Sequence, residues 1–215
     1  MRKLVILLPL TSAMWFLTTI LFGGLNHPNY RHYSQFISEL GASGAVNGQL
    51  VNLFGFIPTS AFLTAFVMLA IYISSRQTKQ LLGLAGIGLY SLTLCVAALF
   101  PCDAGCRPVT PSVAQLVHNL SAIFGYMGGV IGIFLLASDL RNKASRRLAA
   151  IGFFLGAIAI AMFFLLSPES LLVGLAQRVF EFAMYAWIII YAFHLRAELL
   201  NNERDKPGES RMGGV

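Results

Sequence analysis

The sequence is poor in charged residues. Asp, Glu, Lys and Arg make up 11% of its 215 residues, whereas hydrophobic residues make up 57%. Soluble domains carry about 25% charged residues, and one soluble core of this size has no room for so many apolar side chains. The shortage of charge argues against an ordinary soluble domain and indicates that the chain is largely surrounded by lipid.

Several motifs of soluble enzymes and nucleic-acid-binding proteins are also missing. The sequence has no glycine-rich nucleotide loop, no Ser-His-Asp signature and no HExxH zinc motif. Its net charge of +6 comes from short basic clusters between apolar runs. That arrangement is typical of membrane topology, so we expect no nucleic-acid partner.

Six apolar runs are present instead, each near the length of about 20 residues that crosses a bilayer. They cover residues 4–25, 51–74, 81–100, 113–137, 148–166 and 171–193. Backbone polar groups in lipid must be paired within their own segment, so each run is predicted to be a helix. We therefore predict an all-α polytopic membrane protein, with one six-helix transmembrane domain over residues 1–200 and a disordered tail over 201–215. The first run is longer than a signal peptide core and lacks a clean cleavage site, which favours a retained span.

The basic residues lie mostly on one side of these runs. Arg31 and Arg107 lie in one set of connections and Arg178 lies within a run, while the remaining twelve of the 15 Lys and Arg residues lie in the other set. Cytoplasmic loops carry the excess of basic residues, so both termini are predicted to be cytoplasmic, in the inner membrane. The predicted extracytoplasmic loops are 26–50, 101–112 and 167–170.

The first of these loops contains a helical pattern. Its apolar residues fall at i, i+3, i+4 and i+7, and Gly41 follows at a C-cap position. These residues are Tyr33, Phe36, Ile37 and Leu40. We predict a short interfacial helix here, and two interpretations stay open: it covers a binding site, or it is a lid with no site beneath it.

The sixth run carries Gln177, Arg178 and Glu181. Charged groups within a bilayer are costly and usually face the protein interior. Arg178 and Glu181 are three residues apart and so share one helix face. They form either a structural ion pair or a site in which Arg178 binds an anionic group, such as a carboxylate or a lipid phosphate, and Glu181 orients it.

The fourth run carries His118 and Asn119. At 1.5 Å per residue, His118 and Arg178 lie at similar depths of about 8–12 Å below the outer starts of their helices. They are therefore predicted to face one outward-opening pocket. The alternative is that His118 is an ordinary polar residue whose hydrogen bonds are satisfied within the bundle.

Histidines and carboxylates are predicted to collect at the mouth of this pocket. The mouth residues are His27, His32, Ser38, Glu39 and Asp103. Such groups are chemically able to bind Zn²⁺ or to act as acids and bases, and the candidate catalytic residues are Asp103, His118, Glu39 and Ser38. Their spacing matches no ligand motif, so no cofactor is predicted. If zinc is bound, the expected ligands are His118, His27 and Asp103.

Cys102 and Cys106 lie in the second predicted outer loop, with Gly105 between them. The expected location outside the cytoplasm favours a disulfide. A two-thiolate metal site and free thiols are the alternatives. Cys95 lies inside the third run and is predicted to be a small buried hydrophobe.

Three short motifs occur in a fixed order: SQFISELGA at 34–42, FPCDAGC at 100–106, and the pair His118 and Asn119. Together they resemble the bacterial and archaeal membrane family called domain of unknown function 998, over about residues 5–198. The resemblance implies a six-span membrane protein without an established activity.

Two further groups are similar more loosely. Frag1/DRAM/Sfk1 membrane proteins also place a short Ser-acidic-Leu-Gly motif in the first outer loop. CREST membrane hydrolases use a serine, an aspartate and three histidines around zinc, and Ser38, Asp103 and His118 are of the same residue types. The paired HxxxH of those hydrolases is absent here, so the similarity implies no zinc site.

The leading functional hypothesis is the binding of a lipid or amphiphile in the outward-opening pocket. The candidate ligand-binding residues are Arg178, Glu181, Gln177, Asn119 and His32. The alternatives are a metal-dependent hydrolase of lipid amide or ester bonds, a small transporter in which Glu181 titrates, and a structural subunit of a membrane complex. Membrane lipids are the expected partners, and the sequence predicts no oligomeric state.

Overall fold

The computed structural model describes residues 1–75, 77–142 and 145–204. In the described residues, six long helices are each long and apolar enough to cross a membrane. They are α1 (Leu4–Asn26), α2 (Gly48–Ile73), α3 (Thr78–Leu99), α4 (Val113–Asn142), α5 (Arg146–Phe164) and α6 (Val173–Arg204). The prediction of an all-α protein with six transmembrane helices is confirmed. The orientation of the termini stays a prediction, and residues 205–215 of the predicted tail lie outside the described residues.

Consecutive helices pack side by side, and α6 contacts α1, α2 and α4 as well as α5, so the six helices form a closed bundle. In an apolar 18-residue stretch of α6, 61% of the residues are buried within the protein. The share is 28% to 44% in the corresponding stretches of the other five helices. Large apolar side chains on the outer surfaces of the helices are exposed, as expected for contact with lipid. The polar residues of α6 therefore lie on the helix that the protein surrounds most completely.

Helices α3 and α4 approach one another backbone to backbone. A Cβ atom added at Gly132 of α4 would lie 2.7 Å from the carbonyl oxygen of Gly83 and 3.0 Å from the backbone nitrogen of Ile87. Only small residues permit such an approach between membrane helices. The pair is consequently a rigid support for the side chains that it projects towards α6.

Helix α2 begins with an irregular turn. Its segment Val51–Phe56 is a π-helix, and Pro58 follows at the start of the regular helix. Because proline has no N–H, the carbonyl of Phe54 lacks its usual partner, and the indole of Trp15 donates to it at 2.8 Å. The side-chain amide of Asn52 in this turn donates to the carbonyl of Gly41 at 2.8 Å, which ties α2 to the first outer loop.

The helical pattern of the first outer loop forms only one short 3₁₀-helix, Ile37–Gly41, and Tyr33 lies before it. The Glu39 carboxylate closes its start by accepting hydrogen bonds from the Phe36 N–H and the Gln35 side chain. Ile37 is 2% exposed, so this loop helix packs into the outer end of the bundle, the end predicted to be extracytoplasmic. A longer α-helix would use the Gln35 carbonyl, which instead accepts a hydrogen bond from α6.

Candidate functional site

Arg178 of α6 fixes the first outer loop. Its Nη1 donates to the carbonyls of Gln35 at 3.2 Å and Gly174 at 2.9 Å. Its Nη2 donates to the Tyr30 hydroxyl at 2.8 Å and to Nδ1 of His32 at 2.9 Å. A guanidinium has five N–H donors, so these contacts occupy most of them. Arg178 therefore holds the loop in place and keeps little capacity for the head group of a ligand.

The state of His32 follows from this contact. Burial and the positive charge of Arg178 both lower the pKa of His32. Its Nδ1 accepts a hydrogen bond from the guanidinium of Arg178, so Nδ1 itself is unprotonated. Uncharged His32 is thus part of the attachment of the loop to α6.

Glu181 contacts tyrosines rather than Arg178. The Tyr126 hydroxyl donates to Oε1 of Glu181 at 2.8 Å, and the Tyr90 hydroxyl donates to Oε2. The residue is 7% exposed, and no ion pair joins it to Arg178 in the described part of the chain. The two residues lie on one side of α6, as their spacing indicates, but the Arg178 side chain contacts the loop whereas the Glu181 side chain contacts α3 and α4.

Gln177 connects the loop helix to Glu181. The backbone N–H of Ile37 donates to Oε1 of Gln177 at 2.7 Å, which fixes the orientation of this amide. The Gln177 Nε2 therefore donates, and it contacts the Tyr126 hydroxyl at 2.9 Å. The hydroxyl has one proton, which must then point to Glu181. A directed chain of hydrogen bonds thus runs from the loop backbone to the buried carboxyl group.

His118 of α4 is buried, with its Nδ1 held by the backbone. Nδ1 lies 3.0 Å from the carbonyl oxygen of Ala97 and 3.1 Å from that of Phe100. Carbonyls only accept, so Nδ1 carries the proton and Nε2 carries the lone pair. No described residue donates to Nε2, which therefore remains available as an acceptor.

Two neighbouring cavities lie at the outer end of the bundle. The inner cavity has a volume of about 60 Å³ and reaches Tyr90 and Glu181. The outer cavity has a volume of about 260 Å³ and extends to the exposed Ile123 on α4 and to Phe163 on α5. The side chains that line both cavities are Ser38, His118, Ala122, Tyr126 and Gln177. The sequence-predicted residues Ser38, His118, Gln177 and Glu181 are thus brought together, and Asn119 lines the outer cavity.

The two carboxylates predicted at the pocket mouth have other contacts. Glu39 is 6% exposed and closes the loop helix, with Nη2 of Arg107 at 4.0 Å. Asp103 accepts a hydrogen bond from the Ser112 N–H at 2.9 Å, and this bond lowers the pKa of Asp103 below its ordinary range. Neither carboxylate lines the inner or the outer cavity.

The histidines of the outer end have different contacts. His27 contacts the Pro28 carbonyl and the Tyr30 ring, His32 contacts Arg178, and only His118 lines the cavities. Over residues 1–75, 77–142 and 145–204, no group of three His, Cys, Asp or Glu side chains is placed to hold a metal ion. The suggested zinc ligands His118, His27 and Asp103 are therefore not assembled in this arrangement.

Cys102 and Cys106 are close enough to form a disulfide, with their Cα atoms 5.0 Å apart. The Cys102 carbonyl accepts a hydrogen bond from the Ser43 N–H at 2.8 Å, and Sγ of Cys106 lies 3.5 Å from Oγ of Ser38. The cysteine pair thus holds the second outer loop against the first, beside the outer cavity.

Sequence reasoning missed the two tyrosines that contact Glu181. Tyr90 and Tyr126 are ordinary residues of apolar runs, and nothing in their spacing sets them apart. The available signal was indirect: a carboxyl group within a transmembrane helix requires hydrogen-bond donors on neighbouring helices. Tyrosine hydroxyls in the outer halves of α3 and α4 were the obvious candidates for these donors.

The site can be compared with known proteins. No curated protein and no solved structure matches the chain. The sequence model of a family described as protein of unknown function (DUF998) matches residues 10–194. This range runs from α1 into α6 and includes every side chain that lines the two cavities. The chain belongs to the DUF998 family, as the three short motifs of its sequence indicated.

Proposed function

We propose that the protein binds an amphiphile, with its polar head in the inner cavity and its apolar part in the outer cavity. The observation that carries this proposal is a buried polar cluster beside an apolar opening in a membrane protein. Glu181, Gln177 and His118 supply the polar groups, while Ile123 and Phe163 supply apolar walls. Pockets for small molecules typically combine mostly apolar walls with a few polar groups that fix orientation.

The expected route of the ligand is lateral, between α4 and α5. Ile123 is exposed on the surface that faces lipid, and it lines the outer cavity. An apolar chain gains little by moving from lipid to an apolar cavity, because both surroundings are equally dry. Affinity and selectivity must therefore come from the head group and its contacts with the inner cavity.

The role of Arg178 changes in this proposal. Its donors are occupied by the first outer loop, so Arg178 and His32 hold the cover of the site rather than the head group. Gln177 and Glu181 are the proposed ligand contacts on α6. Asn119 and His118 are those on α4.

Blocking the shared wall of the two cavities tests the proposal. Ala122 lines both, so Ala122→Phe should fill the space that the ligand needs. Ala161→Phe on the exposed side of α5 is the matched control, since it adds the same bulk outside the site. In native mass spectrometry of protein extracted gently from membranes, the wild type and Ala161→Phe should carry the same bound molecules. Ala122→Phe should lose them, and equal occupancy in all three proteins would contradict the proposal.

A hydrolase of lipid amide or ester bonds is a second candidate. One observation favours it: the unprotonated Nε2 of His118 and the hydroxyl of Ser38 belong to the same two cavities. Incubation of the purified protein with fluorogenic acyl esters and amides should then give turnover that His118→Ala abolishes. Elemental analysis of an untreated sample checks the metal-dependent version, which requires stoichiometric zinc.

A further inference from the structure

The inner cavity contains one carboxyl group and no lysine or arginine among its described lining residues. We propose that the amphiphile bound there carries a protonated amine, whose ammonium group pairs with Glu181. This inference rests on the proposed function and names the chemical class of its ligand. Three properties of the cavity support it: its charge, its unused hydrogen-bond acceptors and its aromatic walls.

Glu181 has no oppositely charged partner in the described part of the chain. Glu181 is buried and accepts hydrogen bonds from two uncharged hydroxyls, those of Tyr90 and Tyr126. The nearest cation along the helix, Arg178, contacts the outer loop instead. Neutral hydroxyls offset only part of the cost of burying a carboxylate, and a cationic ligand would add the opposite charge that Glu181 lacks.

Several hydrogen-bond acceptors of the cavity have unused capacity. Each oxygen of a carboxylate has two lone pairs, and each oxygen of Glu181 uses one for a tyrosine. Nε2 of His118 is a further acceptor without a described donor. The chain of hydrogen bonds through Gln177 fixes the Tyr126 proton on Glu181, so Tyr126 cannot serve as a donor to the ligand. An ammonium group, with up to three N–H donors, complements this set, whereas a phosphate or carboxylate would be repelled.

Aromatic rings surround the same space. Phe16, Phe56, Tyr90 and Tyr126 line the inner cavity, and the ring centroids of Tyr90 and Tyr126 are 6.3 Å apart. Ring faces attract cations that lie within about 6 Å of the centroid. The cavity is small, with a volume of about 60 Å³, which suits a primary ammonium rather than a large head group.

The experiment compares three six-carbon probes with different heads: hexylamine, hexanol and hexanoate. Binding to the full-length protein in a non-ionic detergent is measured by calorimetry at pH 7, with heats of empty micelles subtracted. We expect the wild type to bind hexylamine at least about tenfold more tightly than hexanol, a difference of about 1.4 kcal/mol, and not to bind hexanoate. Glu181→Gln, which keeps the shape of the side chain, should remove this preference while hexanol binding changes less than about twofold.

The outcomes separate the two proposals. If the wild type prefers hexanol or hexanoate, and Ala122→Phe abolishes that binding, the amine is wrong and the cavity remains a binding site. If Ala122→Phe changes the binding of no probe, the proposed function itself fails. Thermal unfolding checks that each variant is folded, and the ranking of the three probes on the wild type decides the question even if Glu181→Gln does not fold.

Discussion

Removing the guanidinium of Arg178 should release the first outer loop while leaving the helices in place. Arg178 makes four hydrogen bonds that involve this loop or the start of α6. Hydrogen bonds from a charged group contribute about 1.5–3 kcal/mol each, but bonds from one group are not additive and this side chain is only partly buried. We therefore expect Arg178→Ala to lower the free energy of local opening of the loop by about 2–4 kcal/mol.

Amide hydrogen exchange followed by peptide mapping measures this opening. A decrease of about 1.4 kcal/mol in the free energy of opening raises the exchange rate tenfold. Exchange of residues 27–41 should therefore accelerate by roughly 30-fold to 1,000-fold in Arg178→Ala, while peptides from α3 and α4 keep their wild-type rates. Arg178→Lys should give an intermediate rate, because an ammonium cannot reproduce the planar fork of donors. Arg31→Ala is the control, since Arg31 is exposed in the same loop. If residues 27–41 of Arg178→Ala exchange at the wild-type rate, the role assigned to Arg178 is refuted.

Three further predictions concern the outer end of the bundle. Because the pKa of His32 is lowered in the folded protein, the unfolded state binds more protons than the folded state as the pH falls through about 6.5. The free energy of unfolding should therefore decrease from pH 7.5 to 5.5, and it should decrease less in His32→Gln. Thermal unfolding at each pH measures this. Gly41→Ala should destabilise the protein by about 1–3 kcal/mol, because the added Cβ collides with Asn52, and a lowered unfolding midpoint checks this. If Cys102 and Cys106 are bonded, denatured protein should react with one equivalent of maleimide before reduction and three after it; three equivalents before reduction would show free thiols.

The sequence was sufficient to predict the six helices because their signal is local. A run of about 20 apolar residues can satisfy its backbone in lipid only as a helix, whatever its neighbours are. The helix bounds accordingly differ from the predicted runs by a few residues at most ends. The largest extension is in α6, which continues past the apolar run to Arg204. The family was also predictable, because three short motifs occur in order along the chain.

The arrangement of the site was less predictable because it depends on distant contacts. Spacing places Arg178 and Glu181 on one helix face, but it does not determine which neighbours each side chain meets. Tyr90 and Tyr126 lie 91 and 55 residues from Glu181 in sequence. Such pairings follow from helix packing, and no local pattern encodes them.

Glu39 has a structural contact that its sequence spacing indicates. A carboxylate near the predicted outer pocket is a catalytic candidate, and that assignment stays a prediction. In the structure its carboxylate accepts a hydrogen bond from the Phe36 N–H, three residues earlier. This is a short-range interaction of the kind that closes helix starts, and the sequence spacing alone allowed it to be anticipated.

Photolabelling in a bilayer tests the central claim, that an amphiphile occupies the two cavities, most directly. The protein is reconstituted in lipid nanodiscs with an alkylamine that carries a diazirine, irradiated, and mapped by peptide mass spectrometry. We predict adducts on cavity residues such as Tyr126 and Phe163, and their loss in Ala122→Phe but not in Ala161→Phe. Adducts confined to exposed, lipid-facing residues such as Phe124 and Phe154, and equal in all three proteins, would contradict the account.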